Sequence, residues 1–343
     1  MRKAVFAVLV VILALLSFSM AFGEEPSLRS APFSSSFIKY LEGVRSGAIE
    51  KNYGLIPLPL DLGRHKRDPH ATRLAQPSRY DLRDLGYVTS VKDQDPYGTC
   101  WAFATFGSLE SHLLVIGDGI YDFSERNLIN LCYYDDPWNR GGNVFQSMAY
   151  LSRGDGPVLE YEDPYSLGPG ASPILGRTLY VENVVVLPGR ESVFDNDYIK
   201  DAIMTYGAVY TSMYFDNAFY DLPSMTYYCG VSGLEPNHAV VLVGWDDNMV
   251  VPGAPGPGVW IVKNSWGTAF GDNGYFYVSY YDLYIANHIA YFEDEDDIND
   301  GDFDVLYYDD LGLCDGLMYT GSSSIYGANV FYAPYDCYLE GVV

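Results

Sequence analysis

The sequence predicts an α+β protein of two lobes with a cleft between them, followed by the start of a C-terminal β domain. Two patterns carry this. In CWAFATFGSLESHLLVI, Phe103, Phe106, Leu109 and Leu113 recur at three- and four-residue spacings, the mark of an amphipathic helix beginning at Cys100. The second half of the chain changes to β-branched and aromatic runs bounded by Gly, Pro, Asn and Asp, namely RTLYVENVVVLP, HAVVLVGW, GVWIVKN and GYFYVSYY. A helical half followed by a strand-rich half fits separate helical and sheet layers. With 343 residues, 48% of them hydrophobic, the chain is long enough to build both lobes around a large core.

Taken in order, residues 1–23 read as a signal peptide. MRK precedes the apolar run AVFAVLVVILALLSFSMAFG, and Ala21-Phe22-Gly23 permits cleavage before Glu24. An uncleaved anchor is the alternative, because the run is near the ~18-residue lower limit for a span. Export is therefore expected, which would place Cys100, Cys132, Cys229, Cys314 and Cys337 where disulfides persist. Residues 24–77 carry turn residues, one periodic stretch, SFIKYLEGV, and the basic cluster GRHKRDPHATR at 63–73. They read as a pro-segment with a protease-accessible junction, the plain alternative being an exposed loop. Further helices are expected in FSERNLINL, with Ser124 as N-cap, in NVFQSMAYL and in YIKDAIMTYG. The net charge of −25 leaves few Lys and Arg to neutralise phosphates, which argues against nucleic acid and anionic membranes.

Cys100 stands at a helix N-terminus, where the macrodipole and unpaired N–H groups favour the thiolate. A catalytic thiol needs a base, usually His, and that base needs a group to hold its ring. His65 and His70 lie in the pro-segment. His112 shares the helix of Cys100, about 18 Å along it, and reads as a surface or lobe-packing residue. His288 has no motif beside it and reads as structural. His238 opens HAVVLVGW, and the next strand ends in Asn264. The turn DDNMVVPGAPGPG should pair the two strands antiparallel and bring Asn264 to the imidazole, with Trp266 covering the bond. Gln94, six residues before Cys100, can join the Cys100 N–H in stabilising an oxyanion, where one donor is typically worth ~10²–10³ in rate.

These stretches resemble the papain family of cysteine peptidases. The resemblance runs through YDLRDLGYVTSVKDQDPYGTCWAF, FSERNLINL, NRGGNVFQSMAYL, GDGPVLEYEDPY, the Asn-His pair with AVVLVGW, and KNSWGTAFGDNGYF, in the family's order from about 79 to 292. It implies a papain-like fold of a helical and a β-barrel-like lobe over residues 78–292. It also implies Cys100 as nucleophile, His238 as general base and acid, Asn264 as the residue orienting the ring, and Gln94 as oxyanion donor. Gly141 and Gly142 match the pair that lets an extended substrate backbone approach. Asn143 and Asn237 are expected to flank the pocket for the second residue before the scissile bond, and Trp266 matches the aromatic lid.

The chain departs from the family at Tyr97, where a bridged Cys is usual, at Thr99, where a smaller Ser is usual, and in its short pro-segment. Setting Cys100 aside leaves four cysteines, with Cys132–Cys229 and Cys314–Cys337 the expected bridges. EDEDDINDGDFD at 293–304 reads as a solvated linker. Irregular calcium binding is the alternative there, because no EF-hand frame fits. Residues 305–343, with VLYYDDLGL, ANVFYAP and CYLEGVV, resemble the opening strands of the lectin-like domain found after some secreted prokaryotic peptidases of this family.

The expected function is a secreted cysteine endopeptidase acting through a thioester acyl-enzyme on peptide or protein substrates. It is expected to be a monomer with no metal or cofactor, and to contact the cell surface or glycans through the C-terminal segment. The alternatives are a transpeptidase or amidase using the same site, and a non-catalytic binding or adhesion protein that keeps the fold.

Overall fold

The computed structural model describes residues 28–30, 32–47, 53–61, 75–133, 136–181, 183–293 and 317–319. The expected signal peptide, the basic cluster at 63–73, the acidic run beyond Glu293, the expected strands of the tail, Cys314 and Cys337 lie outside these residues. A small unit contains the antiparallel pair Leu28–Ser30 with Leu317–Tyr319. The other unit contains everything described below.

The helical lobe is gathered on the Cys100–Ile116 helix, with shorter helices at Glu125–Leu131, Pro137–Arg140 and Val144–Ser152. Their starts follow local chemistry. Ser124 Oγ accepts from the Asn127 N–H, and Asn143 forms a capping box with Gln146. The long helix differs from its amphipathic expectation, since every residue from Cys100 to Leu113 is buried. The sheet lobe covers the face that the sequence pattern leaves to solvent, and the polar side chains there are satisfied internally. Ser108 Oγ donates to the Ala208 carbonyl (2.6 Å), Thr105 meets Ser147 (2.7 Å), and His112 Nδ1 lies 3.1 Å from the Tyr206 carbonyl, a lobe-packing role.

The second lobe is one sheet in the order Asn183–Leu187, Ile289–Glu293, Val209–Met213, His238–Val250, Pro257–Lys263, Tyr275–Ser279, Thr226–Tyr227, Tyr220–Asp221. Arg79–Asp81 adds alongside His238–Val250. The expected hairpin is present: Val241 pairs with Lys263 and Leu242 with Val262, antiparallel. That register puts His238 at the start of one strand and Asn264 just past the end of its neighbour. The helix Asp197–Tyr206 interrupts the strands as the periodicity predicts.

Cys132 and Cys229 are not bridged to each other, which corrects the expected disulfide. Cys132 ends a helix of the first lobe, where its thiol donates to the Ile129 carbonyl (3.1 Å). Cys229 follows the Thr226–Tyr227 strand, and its N–H donates to Asp282. No helix among the described residues is long and apolar enough to cross a membrane.

Before the peptidase-like region, Ser35–Ser46 forms a helix capped by Ser34 and closed by Gly47 in the left-handed region. The extended stretch from Tyr53 to Leu58 then enters the cleft between the lobes.

Candidate active site

Cys100 is the first residue of the long helix and is completely buried. Its sulfur accepts from the Ala239 N–H at 3.2 Å. His238 Nε2–H donates to Asn264 Oδ1 at 2.8 Å, and the Ser265 N–H donates to the same oxygen at 2.9 Å. This fixes the tautomer, leaving Nδ1 as the bare, basic nitrogen. Nδ1 has no hydrogen-bond partner among the described residues. The Trp266 ring stacks on the imidazole, centroids 4.7 Å apart at 22°.

Burial dominates the electrostatics. It pushes the Cys100 thiol up to about 12, against the opposing backbone N–H bonds. It also pulls His238 down to about 4, although the bond to Asn264 works the other way. At neutral pH the pair is therefore thiol and neutral imidazole, not the thiolate and imidazolium that a helix N-terminus alone would suggest.

The Tyr53 to Leu58 stretch contributes to the cover over His238. The Tyr53 ring packs against His238 (5.4 Å) and Trp266 (5.0 Å). Its N–H donates to the Asn237 carbonyl (3.1 Å), and its own carbonyl accepts from Gln94 Nε2 at 2.8 Å. The side chain expected to hold an oxyanion thus holds a peptide carbonyl. Gln94 is itself aimed by Ser265 Oγ, which donates to its Oε1 at 2.7 Å.

Gly142 donates to the Gly54 carbonyl (3.0 Å) and accepts from the Ile56 N–H (2.8 Å), a parallel bridge centred on Leu55. Only glycines permit this approach. A Cβ on Gly141, where φ is +86°, would lie 2.2 Å from the Gly54 oxygen, and one on Gly142 would lie 2.5 Å from the Trp101 ring.

Leu55 lines a small cavity together with Asn143, Val144, Tyr210, Ser212 and His288. Asn143 lines this cavity. Asn237 is not among the residues lining this cavity, and its side-chain amide is bound to both backbone groups of Phe215. His288, read as structural from sequence, lies on this pocket with Nδ1 2.8 Å from Ser212 Oγ. Nothing local to it signals this, because its place depends on Ile289–Glu293 lying next to Val209–Met213 in the sheet.

Behind Asn264 lies a buried ion cluster. Lys92 pairs with Glu110 (3.1 Å) and Glu125 (2.9 Å), and Lys263 Nζ donates to Thr89 Oγ1 (3.1 Å). Burial raises Glu125 to about 8 and lowers Lys263 to about 8. The cluster anchors the strand end that presents Asn264. No group of side chains suited to a metal ion occurs among the described residues.

Residues 76–291 match the family model for papain family cysteine proteases. The chain is 34% identical over 202 residues to a viral cathepsin of Choristoneura fumiferana defective polyhedrosis virus, covering 59% of each chain. It is 32% identical over 209 residues to the oryzain gamma chain of Oryza sativa subsp. japonica, covering 59% of this chain and 55% of that one. It thus spans less than two thirds of the length of these relatives. Among solved structures it is similar to the cysteine protease and lectin-like domains of Cwp84, a surface layer associated protein of Clostridium difficile. That match has a TM-score of 0.64 at 29% identity, over 78% of this chain and 62% of the other.

Proposed function

The chain belongs to the papain family of cysteine proteases, and from that premise we propose that it is an exported cysteine endopeptidase held latent by its own residues 24–77. The observation that carries the reading is the peptide carbonyl of Tyr53, held by Gln94 Nε2 in the cleft that contains Cys100 and His238. A substrate carbonyl placed there is open to attack by Cys100 sulfur once the thiol has passed its proton to His238 Nδ1. The oxyanion then takes the Gln94 Nε2–H and the Cys100 N–H. Collapse of that intermediate breaks the C–N bond, His238 protonates the leaving amine, and a thioester remains on Cys100. Water deprotonated by His238 attacks the thioester, releasing the acid and restoring the thiol. Asn264 keeps Nδ1 directed at the thiol throughout.

Latency has two parts in this proposal. The Tyr53 to Leu58 stretch fills the cleft, and by excluding water it keeps both reacting groups neutral. Its removal near residue 77 rehydrates the site and releases both groups from that shift. The Leu55 position marks the pocket for a substrate side chain, so an apolar residue is expected there. Export is proposed from the N-terminal apolar run. A role for residues 305–343 in lectin-like surface attachment is proposed from their likeness to such domains and from the two-domain neighbour.

The test is incubation of the processed, reduced chain with a peptide mixture, read by mass spectrometry with and without an added amine. New termini that depend on Cys100 support the peptidase. Amine-capped products in place of free acids would support the transpeptidase reading, and no cleavage by a processed, reduced chain would overturn both.

A further inference from the structure

The loop from Gln94 to Thr99 carries the oxyanion donor at one end and leads into the nucleophile at the other. Its conformation sets the distance between them. Tyr165, the first residue of a short 3-10 turn, reaches both ends with one hydroxyl. That hydroxyl donates to the Gln94 backbone carbonyl at 2.7 Å and lies 2.7 Å from Thr99 Oγ1. A phenol has a single proton, so with that proton on the Gln94 carbonyl the Thr99 hydroxyl is the donor in the second bond.

Thr99 is the N-cap of the Cys100–Ile116 helix, yet its side chain makes no capping bond. Its hydroxyl is directed to Tyr165 instead. The Tyr165 ring is fixed by Phe103 (4.9 Å), Trp138 (5.4 Å) and Tyr97 (6.4 Å), and its N–H donates to Glu160 at 2.9 Å. The Gly98 N–H donates to the Trp138 carbonyl (3.0 Å), so the aromatic cluster also holds the middle of the loop. Tyr97 stands in this cluster where the family resemblance leads one to expect a bridged cysteine.

We propose that Tyr165 is a positioning residue that fixes the spacing of Gln94 and Cys100, an aromatic and hydrogen-bonded brace doing the work of a cross-link. The inference rests on the peptidase reading of the site. Because the brace acts on oxyanion geometry, its loss should fall on turnover and leave substrate affinity and intrinsic thiol reactivity intact.

The experiment compares the processed wild-type enzyme with Tyr165→Phe, Thr99→Val and the double variant, measuring kcat and KM on a short peptide and the iodoacetamide alkylation rate of Cys100. Each single variant should lose about tenfold in kcat with KM and alkylation within about twofold of wild type. The double variant should lose no more than Tyr165→Phe alone, because that change already removes the bond that Thr99→Val removes. Unchanged kcat in Tyr165→Phe, a loss confined to KM, or losses that multiply in the double variant would overturn the proposal. Should Tyr165→Phe not fold, Thr99→Val alone decides, and wild-type kcat there would overturn the brace. A wild-type enzyme that cleaves no peptide shows instead that the premise has failed.

Discussion

In the proposed enzyme Cys100 and His238 pass from a silent to a competent state, because burial moves a thiol and an imidazole in opposite directions. Burial lowers the His238 pKa from 6.5 to about 4, and the Tyr53 ring is one of the groups packed on its imidazole. The uncovered state therefore binds more protons than the covered one between those values, and the covered state loses relative stability as pH falls from about 6.5 towards 4. The whole shift corresponds to on the order of 3 kcal/mol. Alkylation of Cys100 in the unprocessed chain should accordingly accelerate as pH falls through this window, after correction for the reagent's own pH dependence. A flat profile would show that His238 is not the group that couples. On the processed enzyme, Cys100→Ala and His238→Ala should each lower kcat/KM by at least about 10⁴-fold, and Gln94→Ala by about 10²–10³-fold. Asn264→Ala should lose less, since it orients the ring without exchanging a proton. Steady-state kinetics alongside thermal melts would separate these losses from unfolding. The placement of Cys100, His238 and Asn264 was legible in sequence, because a thiol at a helix start and a His-Asn pair across a hairpin are short-range patterns. Ser265, Tyr165 and His288 were not, because each acquires its neighbour across more than seventy residues of chain.

Among the elements, the Tyr53 to Leu58 stretch depends most on others. Among the described residues it joins no sheet but bridges to Gly142, and Leu55, Ile56 and Leu58 are buried. Its sequence has neither alternation nor caps to announce a strand, which is why a pro-segment could be read there but not its seat. The preceding helix, by contrast, carries its own signals in Ser34 and Gly47. Gly54 is the tightest point of the seat. Its φ is +121°, and a Cβ there would stand 2.2 Å from the Gly98 carbonyl, backbone against backbone with no side chain to yield. Gly54→Ala should therefore push the stretch out of the cleft without touching the peptidase lobes. The unprocessed variant should cleave a small peptide substrate and react with a thiol reagent, where the unprocessed wild type does neither. Equal latency in the two would show that the pro-segment inhibits by some other contact.

At the scale of the whole molecule, the division into a helical and a sheet lobe was legible from the change of hydrophobic period. The burial of the central helix on all sides was not, since a pattern of Phe and Leu says which face is apolar and nothing about what covers the other. The end of the peptidase fold is set by the same tertiary logic. Ile289–Glu293 is flanked by Asn183–Leu187 and Val209–Met213, and Phe292 is completely buried. A chain cut at Phe292 would end inside a strand that is paired on both sides and would lose its last rung to Asn183. One ending at Asp304 would keep the strand whole and carry only the acidic run beyond it. The site residues argued above all precede this strand, so the Asp304 chain should match the full chain in kcat/KM on short peptides within about twofold. A cut at Asn287, which removes the strand, should yield insoluble protein. If the Asp304 chain instead lost activity or solubility, residues 305–343 would belong to the peptidase fold, and their role as a separate surface-binding module would have to be withdrawn.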